Sequence, residues 1–210
     1  MRIDDYVSSF QSRFPFLDPS ILPWQVTQEL PSVLERLMAS LTTSDYRNCD
    51  GTLIHTAATV EVGAIIKPPA VISEACFVAS TAYVRGGVFL DRGVIIGPGC
   101  EIKTTVIMAG STLAHFNFVG DSVLGSDVNL EAGAVVANHY NERRDKEVRL
   151  YIREREIRTG VSKFGALIGD RCRVGANAVL SPGTVLGQDE VVGRLVHVNQ
   201  APASVAPDER

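Results

Sequence analysis

The chain has 210 residues, 45% hydrophobic and 21% charged, enough for one sizeable core and a small appendage. A formal net charge of −4 leaves no basic field with which to grip a nucleic-acid backbone. No stretch approaches the roughly 18 apolar residues of a membrane span, and the start Met1-Arg2-Ile3-Asp4-Asp5 has acids where a signal peptide carries positive charge, so a cytoplasmic protein with no nucleic-acid or membrane partner is expected.

In chain order, Pro15, Pro19 and Pro23 predict an irregular packed arm around Trp24. Residues 27–41 then place Leu30, Val33, Leu34, Leu37, Met38 and Leu41 on one helical face, with Thr27 as N-cap and Pro31 in the first turn. From Ile54 a step of six lands on Val60, Ile66, Ile72, Val78, Val84, Leu90, Ile96, Ile102, Met108 and Ala114. Four residues after each sits a second small or branched side chain, from Ala58 through Cys76 and Cys100 to Thr112. Gly63, Ala75, Gly87, Gly93 and Gly99 fall between, where corners are needed.

Neither a helix nor a simple alternating strand has a period of six, but a short strand and a turn, repeated, does. Three such units close a triangular coil, so the fold class is an all-β solenoid, a parallel β-helix of hexapeptide repeats with a small N-terminal helical cap over its open end. One coil takes 18 residues. The phase slips after Ala114 and recovers at Leu124, Leu130 and Val136, then returns at Ile168, Val174, Leu180 and Leu186. Between these, 141–159 reads as a projecting charged hairpin, with Val148, Leu150 and Ile152 alternating against Arg149, Tyr151 and Arg153. The expected organisation is an arm and cap over 1–50, a solenoid over 51–198 with an insertion at 141–160, and a mobile tail from 199.

Several residues in this frame can carry chemistry. Arg85 and Lys103 are 18 apart, each following an inward aliphatic residue, so they stack on one outer edge with Lys67 below them. An arginine and a lysine held together suit a phosphate, and a solvated ladder paired to Glu61, Glu74 or Asp91 is the plain alternative. His115 lies in the run Leu113-Ala-His-Phe-Asn-Phe-Val-Gly-Asp121, where the repeat slips. An imidazole exposed there suits a general base, although a histidine in an apolar run is often structural. Asn129 and Asn138 offer donors and acceptors to a sugar or an amide, or build a structural ladder. Gly133 and Gly160 read as corners. The four histidines His55, His115, His139 and His197 show no close H-x4-H pair, so no metal site is expected. No phosphate-binding glycine loop or dinucleotide fingerprint is present.

Across residues 53 to 190 the sequence resembles the acetyltransferase half of the bacterial bifunctional glucosamine-1-phosphate acetyltransferase/N-acetylglucosamine-1-phosphate uridylyltransferase and its stand-alone hexapeptide relatives. The run His115-Phe-Asn-Phe-Val-Gly-Asp121 looks like that family's H-L-T-Y-L-G-D, and Val128-Asn129 and Ala132-Gly133 through Asn138 continue the match. The family's sugar-phosphate arginine and lysine lie 30 and 12 residues before its catalytic histidine, which here falls on Arg85 and Lys103.

The resemblance implies a left-handed helix, a homotrimer with active sites between subunits, and acetyl-CoA lying along the coils. It further implies His115 as base, Arg85, Lys103, Phe118 and Asn129 as substrate contacts, and Ala132, Asn138, His139 and Ala176 as cofactor contacts. The sequence departs from the pattern at Phe118, where the family has a sugar-contacting tyrosine, at Glu131, which replaces a glycine beside the cofactor groove, and at His139-Tyr140. An arm stands in place of the uridylyltransferase domain, so acyl transfer without nucleotidyl transfer is expected. A non-catalytic sugar-phosphate or nucleotide-sugar sensor and an acyltransferase for another amino sugar are the alternatives.

Overall fold

A computed structural model describes residues 1–41, 44–152 and 155–202. Arg153 and the tail beyond 202 lie outside the described residues. From Thr52–His55 to His197–Val198 the chain winds through short parallel strands that stack into three faces. The first face contains Thr52–His55, Ala70–Ile72, Val123–Leu124, Ala166–Ile168 and Thr184–Leu186. The second is a seven-stranded sheet running from Thr59–Val60 to Val191–Val192. The third includes Ile65–Ile66, Phe118–Gly120, Val135–Val136 and Val179–Leu180. Strands Tyr83–Leu90 and Glu101–Ile107 run round a corner and serve both the third face and the first.

Ile72, Val84, Ile96, Ile102, Leu130 and Leu180 are fully buried in one continuous column, so each coil buries its apolar face on the next. The corner residues Gly63, Ala75, Gly87, Gly93 and Gly99 all take positive φ, as the turns demand.

The slip in the repeat comes earlier than the sequence suggests. Ile54, Ile72 and Leu90 pair in steps of 18, but Leu90 pairs with Ile107, 17 residues on, and Ile102 with Val119, again 17 on. At the corner after Arg85 the chain spends Gly86 and Gly87 at a bulge, whereas after Lys103 it turns on Thr104 alone, at φ 49°. The coil is one residue shorter there. Ile107 and Leu113 therefore enter the core where the six-step series expects Met108 and Ala114, and Met108 is buried outside the solenoid. The matching small inward positions become Thr105, Ser111 and Asn117, all buried. Each is satisfied by a carbonyl: Thr105 Oγ1 donates to Lys103, Ser111 Oγ to Gly125 and Asn117 Nδ2 to Glu131.

Gly97 follows an inward isoleucine just below the His115 corner. A Cβ built there would stand 1.7 Å from the Ala114 carbonyl oxygen, on the coil above. Gly97→Ala is expected to cost about 3 kcal/mol or more, because backbone rather than a flexible side chain must move. A urea midpoint within error of wild type would refute this.

The N-terminal segment differs from its expected form. The helix spans Pro23–Met38, with Pro23 in its first turn, Trp24 inside it and Pro31 in its interior; Thr27 is a buried helical residue whose Oγ1 bonds the Trp24 carbonyl, not a cap. It packs on the outside of the first face rather than over the end of the solenoid. The reason is legible in the outward positions of that face, where Val71, Phe89, Val106, Val123, Leu167 and Val185 form an apolar stripe. Val7, Phe10, Phe14, Leu30 and Leu34 cover it, and Phe14 meets Phe89 edge-on at 5.2 Å. Strand Tyr46–Cys49 pairs antiparallel with Thr52–His55 at the start of the solenoid.

The insertion forms the expected hairpin, Arg149–Ile152 against Arg155–Arg158, in register Arg149 to Arg158. It does not simply project: Val148 and Leu150 are buried in the same outer cluster as the helix.

Candidate functional site: two corners flanking one face

Most of the expected site residues fall into two groups at opposite edges of the third face, with Phe118 between them and Asn129 on the adjoining second face. Arg85 and Lys103 are direct register partners at the corner between the third and first faces, as their spacing requires. Neither cation is bare. Arg85 Nε and Nη2 bond Glu101 Oε1 at 2.9 and 2.5 Å, and its guanidinium lies 5.5 Å from the Tyr83 ring centroid. Lys103 Nζ reaches both Asp121 oxygens at 3.0 Å and Thr104 Oγ1 at 3.2 Å. The partners are thus Glu101 and Asp121, and not the Glu61, Glu74 or Asp91 of the plain ladder; Asp91 pairs with Arg13 at 2.7 Å.

Asp121 is buried and also accepts a short bond from Asn138 Nδ2, while Asn138 Oδ1 lies 3.3 Å from His139 Nδ1. Asn138 and His139 therefore stand with Lys103 at this corner. The insertion leaves the solenoid from the same place and returns with Gly165 N–H on the Asp121 carbonyl at 2.8 Å. A cleft of about 340 Å³ opens here, lined by Gln28, Gly86, Thr104, Asp121, Ser162 and Lys163 among others.

The other edge is the corner between the second and third faces. His115 is exposed on it, and its ring takes no hydrogen bond among the described residues. Backbone bonds stack the corner upward: Gly133 N–H to His115 O at 2.9 Å, Asn177 N–H to Ala132 O at 3.0 Å and Leu195 N–H to Ala176 O at 3.0 Å. Ala132 and Ala176 thus rise in line above His115. Asn129 is exposed on the adjoining second face, in register with Thr112 and Arg173.

Between the two edges, Phe118 is half-buried on the third face and pairs in register with Glu101 and Val135. The strand separating the corners, Phe118–Gly120, has three residues, so roughly 10 Å of face lies between the imidazole corner and the cations. In the motif run, Asn117 points inward and is bonded within the coil, whereas the His115 side chain is exposed.

Among the described residues Cys76, Cys100 and Cys172 are buried and Cys49 is exposed. Burial pushes the Cys76 and Cys172 thiols up to about 11 and raises that of Cys100, so none is poised as a nucleophile. No group of three His, Cys, Asp or Glu side chains is placed to hold a metal ion, and no helix is long and apolar enough to cross a membrane, among the described residues. Sequence reasoning did not assign Glu101 and Asp121 to the site; their signal lay in their positions, 16 and 18 residues after the cations they hold.

The described residues thus form a solenoid of hexapeptide repeats with an exposed histidine at one corner and stacked cations at the next. The family model described as the GMPPB C-terminal domain matches residues 49–157, more than half of the chain, and the chain belongs to that family. Among curated proteins it is similar to a bifunctional sugar-1-phosphate nucleotidylyltransferase/acetyltransferase of Sulfurisphaera tokodaii, 42% identical over 93 residues that cover 44% of this chain and 22% of that protein. It is also similar to the bifunctional protein GlmU of Methanococcus vannielii, 35% identical over 104 residues, 50% of this chain and 24% of that one. The matches span under a quarter of the length of these relatives. Among solved structures, the acetyltransferase domain of PglB from Neisseria gonorrhoeae aligns over 83% of this chain and 70% of that one at 16% identity, with a TM-score of 0.42 that bears no weight on function.

Proposed function

We propose that this protein transfers an acetyl group from acetyl-CoA to the amine of a sugar phosphate such as glucosamine-1-phosphate. The observation that carries the reading is the third face itself, with Arg85 and Lys103 in register at one edge and, at the other, an imidazole without a hydrogen-bond partner among the described residues. A sugar phosphate laid across this face puts its phosphate on the cations and its ring over Phe118. Its amine then points toward His115, with Asn129 beyond the corner to orient the sugar. The free amine attacks the thioester carbonyl, the imidazole accepts the proton that the attacking nitrogen sheds, and that proton passes to the departing sulfur so that the coenzyme leaves as thiol. In this reading the N–H of Ala132, next above His115, receives the oxyanion. One curated relative is named a bifunctional sugar-1-phosphate nucleotidylyltransferase/acetyltransferase, and that name supports the same substrate class.

The phosphate does not meet free cations. It must share Arg85 with Glu101 and Lys103 with Asp121, which keeps both side chains aimed at the edge before substrate arrives. Replacing either cation is expected to raise KM for the acceptor about 10-fold or more, since hydrogen bonds to charged groups contribute roughly 1.5–3 kcal/mol, and to leave KM for acetyl-CoA unchanged. Equal rises in both constants would count against the phosphate assignment.

A homotrimer is part of this reading, because His115 lies open on the surface. Val62, Phe116 and Leu195 are 98%, 71% and 79% exposed along that same corner, an apolar stripe that a second copy would cover. The proposal covers acyl transfer alone and places the protein in the cytoplasm. The direct test is release of free thiol from acetyl-CoA in the presence of glucosamine-1-phosphate. No release with this or any other amino-sugar phosphate, by a protein that binds them, favours the sensor. Glu131 favours that second reading, because its carboxylate occupies the N–H of Ala176 in the groove.

A further inference from the structure

Glu131 sits one residue before Ala132, at the corner that rises above His115. Its carboxylate reaches over the next coil to accept the Ala176 N–H at 2.9 Å. It also takes a two-pronged bond from Arg194, one coil higher again, with Nε to Oε2 at 2.8 Å and Nη2 to Oε1 at 2.9 Å. One side chain therefore straps three successive coils together along the line of Ala132, Ala176 and Arg194. The Arg194 guanidinium first, and the Ala176 N–H second, hold its carboxyl below the usual range. Beside the strap is a cleft of about 290 Å³, lined by Asn129, Arg173, Gly175, Gly193 and Arg194 among others. Arg173 makes no ion pair among the described residues.

The same kind of strap occurs lower on the same corner, where Glu61 accepts the Ser80 N–H at 2.7 Å. That contact has no arginine and lies below the His115 coil. A carboxylate on a corner amide is thus a recurrent feature of this solenoid, and the added arginine is peculiar to the upper one. The donors that Glu131 holds are a backbone N–H and a guanidinium. An amide carbonyl and a phosphate on one extended ligand would use those same two groups.

We propose that Glu131 is an internal competitor for the acyl carrier: its carboxylate occupies the donors that a phosphate-bearing pantetheine thioester takes on binding, so the Glu131–Arg194 strap must open for the carrier to seat. This rests on the reading of the His115 corner as the carrier groove. The carrier then gains Ala176 N–H and Arg194, with Arg173 across the cleft as a second cation, and Glu131 turns out to solvent. Removing the carboxylate acts in one direction through two causes. It frees both donors, and it takes away a negative charge that repels the carrier's phosphates.

The test is the Kd of coenzyme A, measured by calorimetry on the full chain for wild type, Glu131→Ala and Glu61→Ala. Glu131→Ala is expected to bind about 3- to 10-fold more tightly, the range set by one exposed ion pair and one like-charge contact. Glu61→Ala loses a comparable corner contact below the groove and is expected to bind as wild type does, which separates competition from general loosening of the coil. Unchanged or weaker binding by Glu131→Ala overturns the inference alone. Equal tightening by both variants also overturns it, in favour of loosening. No coenzyme A binding by any of the three removes the groove reading and the inference together.

Discussion

His115→Ala is expected to lower turnover about 10²- to 10⁴-fold, the usual contribution of a positioned general base, with coenzyme A binding and thermal stability unchanged. The ring is exposed and without a hydrogen-bond partner among the described residues, so deleting it opens no cavity and orphans no buried group. The backbone at that position does carry structure, through the bond from Gly133 N–H to the His115 carbonyl, and alanine keeps it. The separation is therefore clean: thiol release falls while the melting curve stays in place. A loss smaller than about 10-fold would remove His115 from proton transfer, because positioning and the oxyanion contact alone would then account for the rate.

Phe89→Ala is expected to destabilise the protein by about 3–5 kcal/mol, the range for truncating a fully buried aromatic side chain. Phe89 is fully buried, but outside the solenoid core. Its ring packs edge-on against Phe14 at 5.2 Å, and the Arg13 guanidinium lies 5.2 Å from its centroid. Arg13 is anchored in turn by Asp91 at 2.7 Å. The truncation thus loosens the attachment of the N-terminal arm to the first face while leaving the inward column of Ile72, Leu90 and Ile107 untouched. Chemical unfolding monitored at Trp24, which lies in the arm, reads it directly. A change below about 1 kcal/mol would mean that the arm's packing adds little to the fold.

The six-residue period made the solenoid legible, because inward aliphatic residues at fixed phase stack into one column, and it placed Arg85 directly below Lys103. Three things escaped it. A phase read from side-chain type cannot see that Thr104 turns a corner which Gly86 and Gly87 turn together, so it does not separate Met108 and Ala114 from Ile107 and Leu113. The inward positions carry no sign of the role of the helix. The outward stripe Val71, Phe89, Val106, Val123, Leu167 and Val185 lies one residue before the inward one, and paired apolar residues recurring every third strand were the available sign of a covered face. Ion pairs of the site escaped for a related reason, since Glu101 and Asp121 belong to the coil above and meet the cations only after stacking.

The arm has one more consequence, for how the molecule comes apart. A bare solenoid is close to a one-dimensional stack in which each coil touches only its neighbours, and such a stack can fray from either end. Here Ser8 donates its N–H and hydroxyl to Asp170 at 3.0 and 2.7 Å, across 162 residues of sequence. The same buried carboxylate takes the Ser126 N–H at 2.8 Å, and the Asp170 N–H bonds the Tyr6 carbonyl at 2.9 Å. Residues near Ser8 are thus tied to coils far along the chain, like a strap buckled over a coiled rope. Losing the upper coils releases the arm, and losing the arm bares the apolar stripe of every coil it crosses. The strap converts a sequence of local openings into one cooperative event, at the cost of a long loop that must close before the arm can dock.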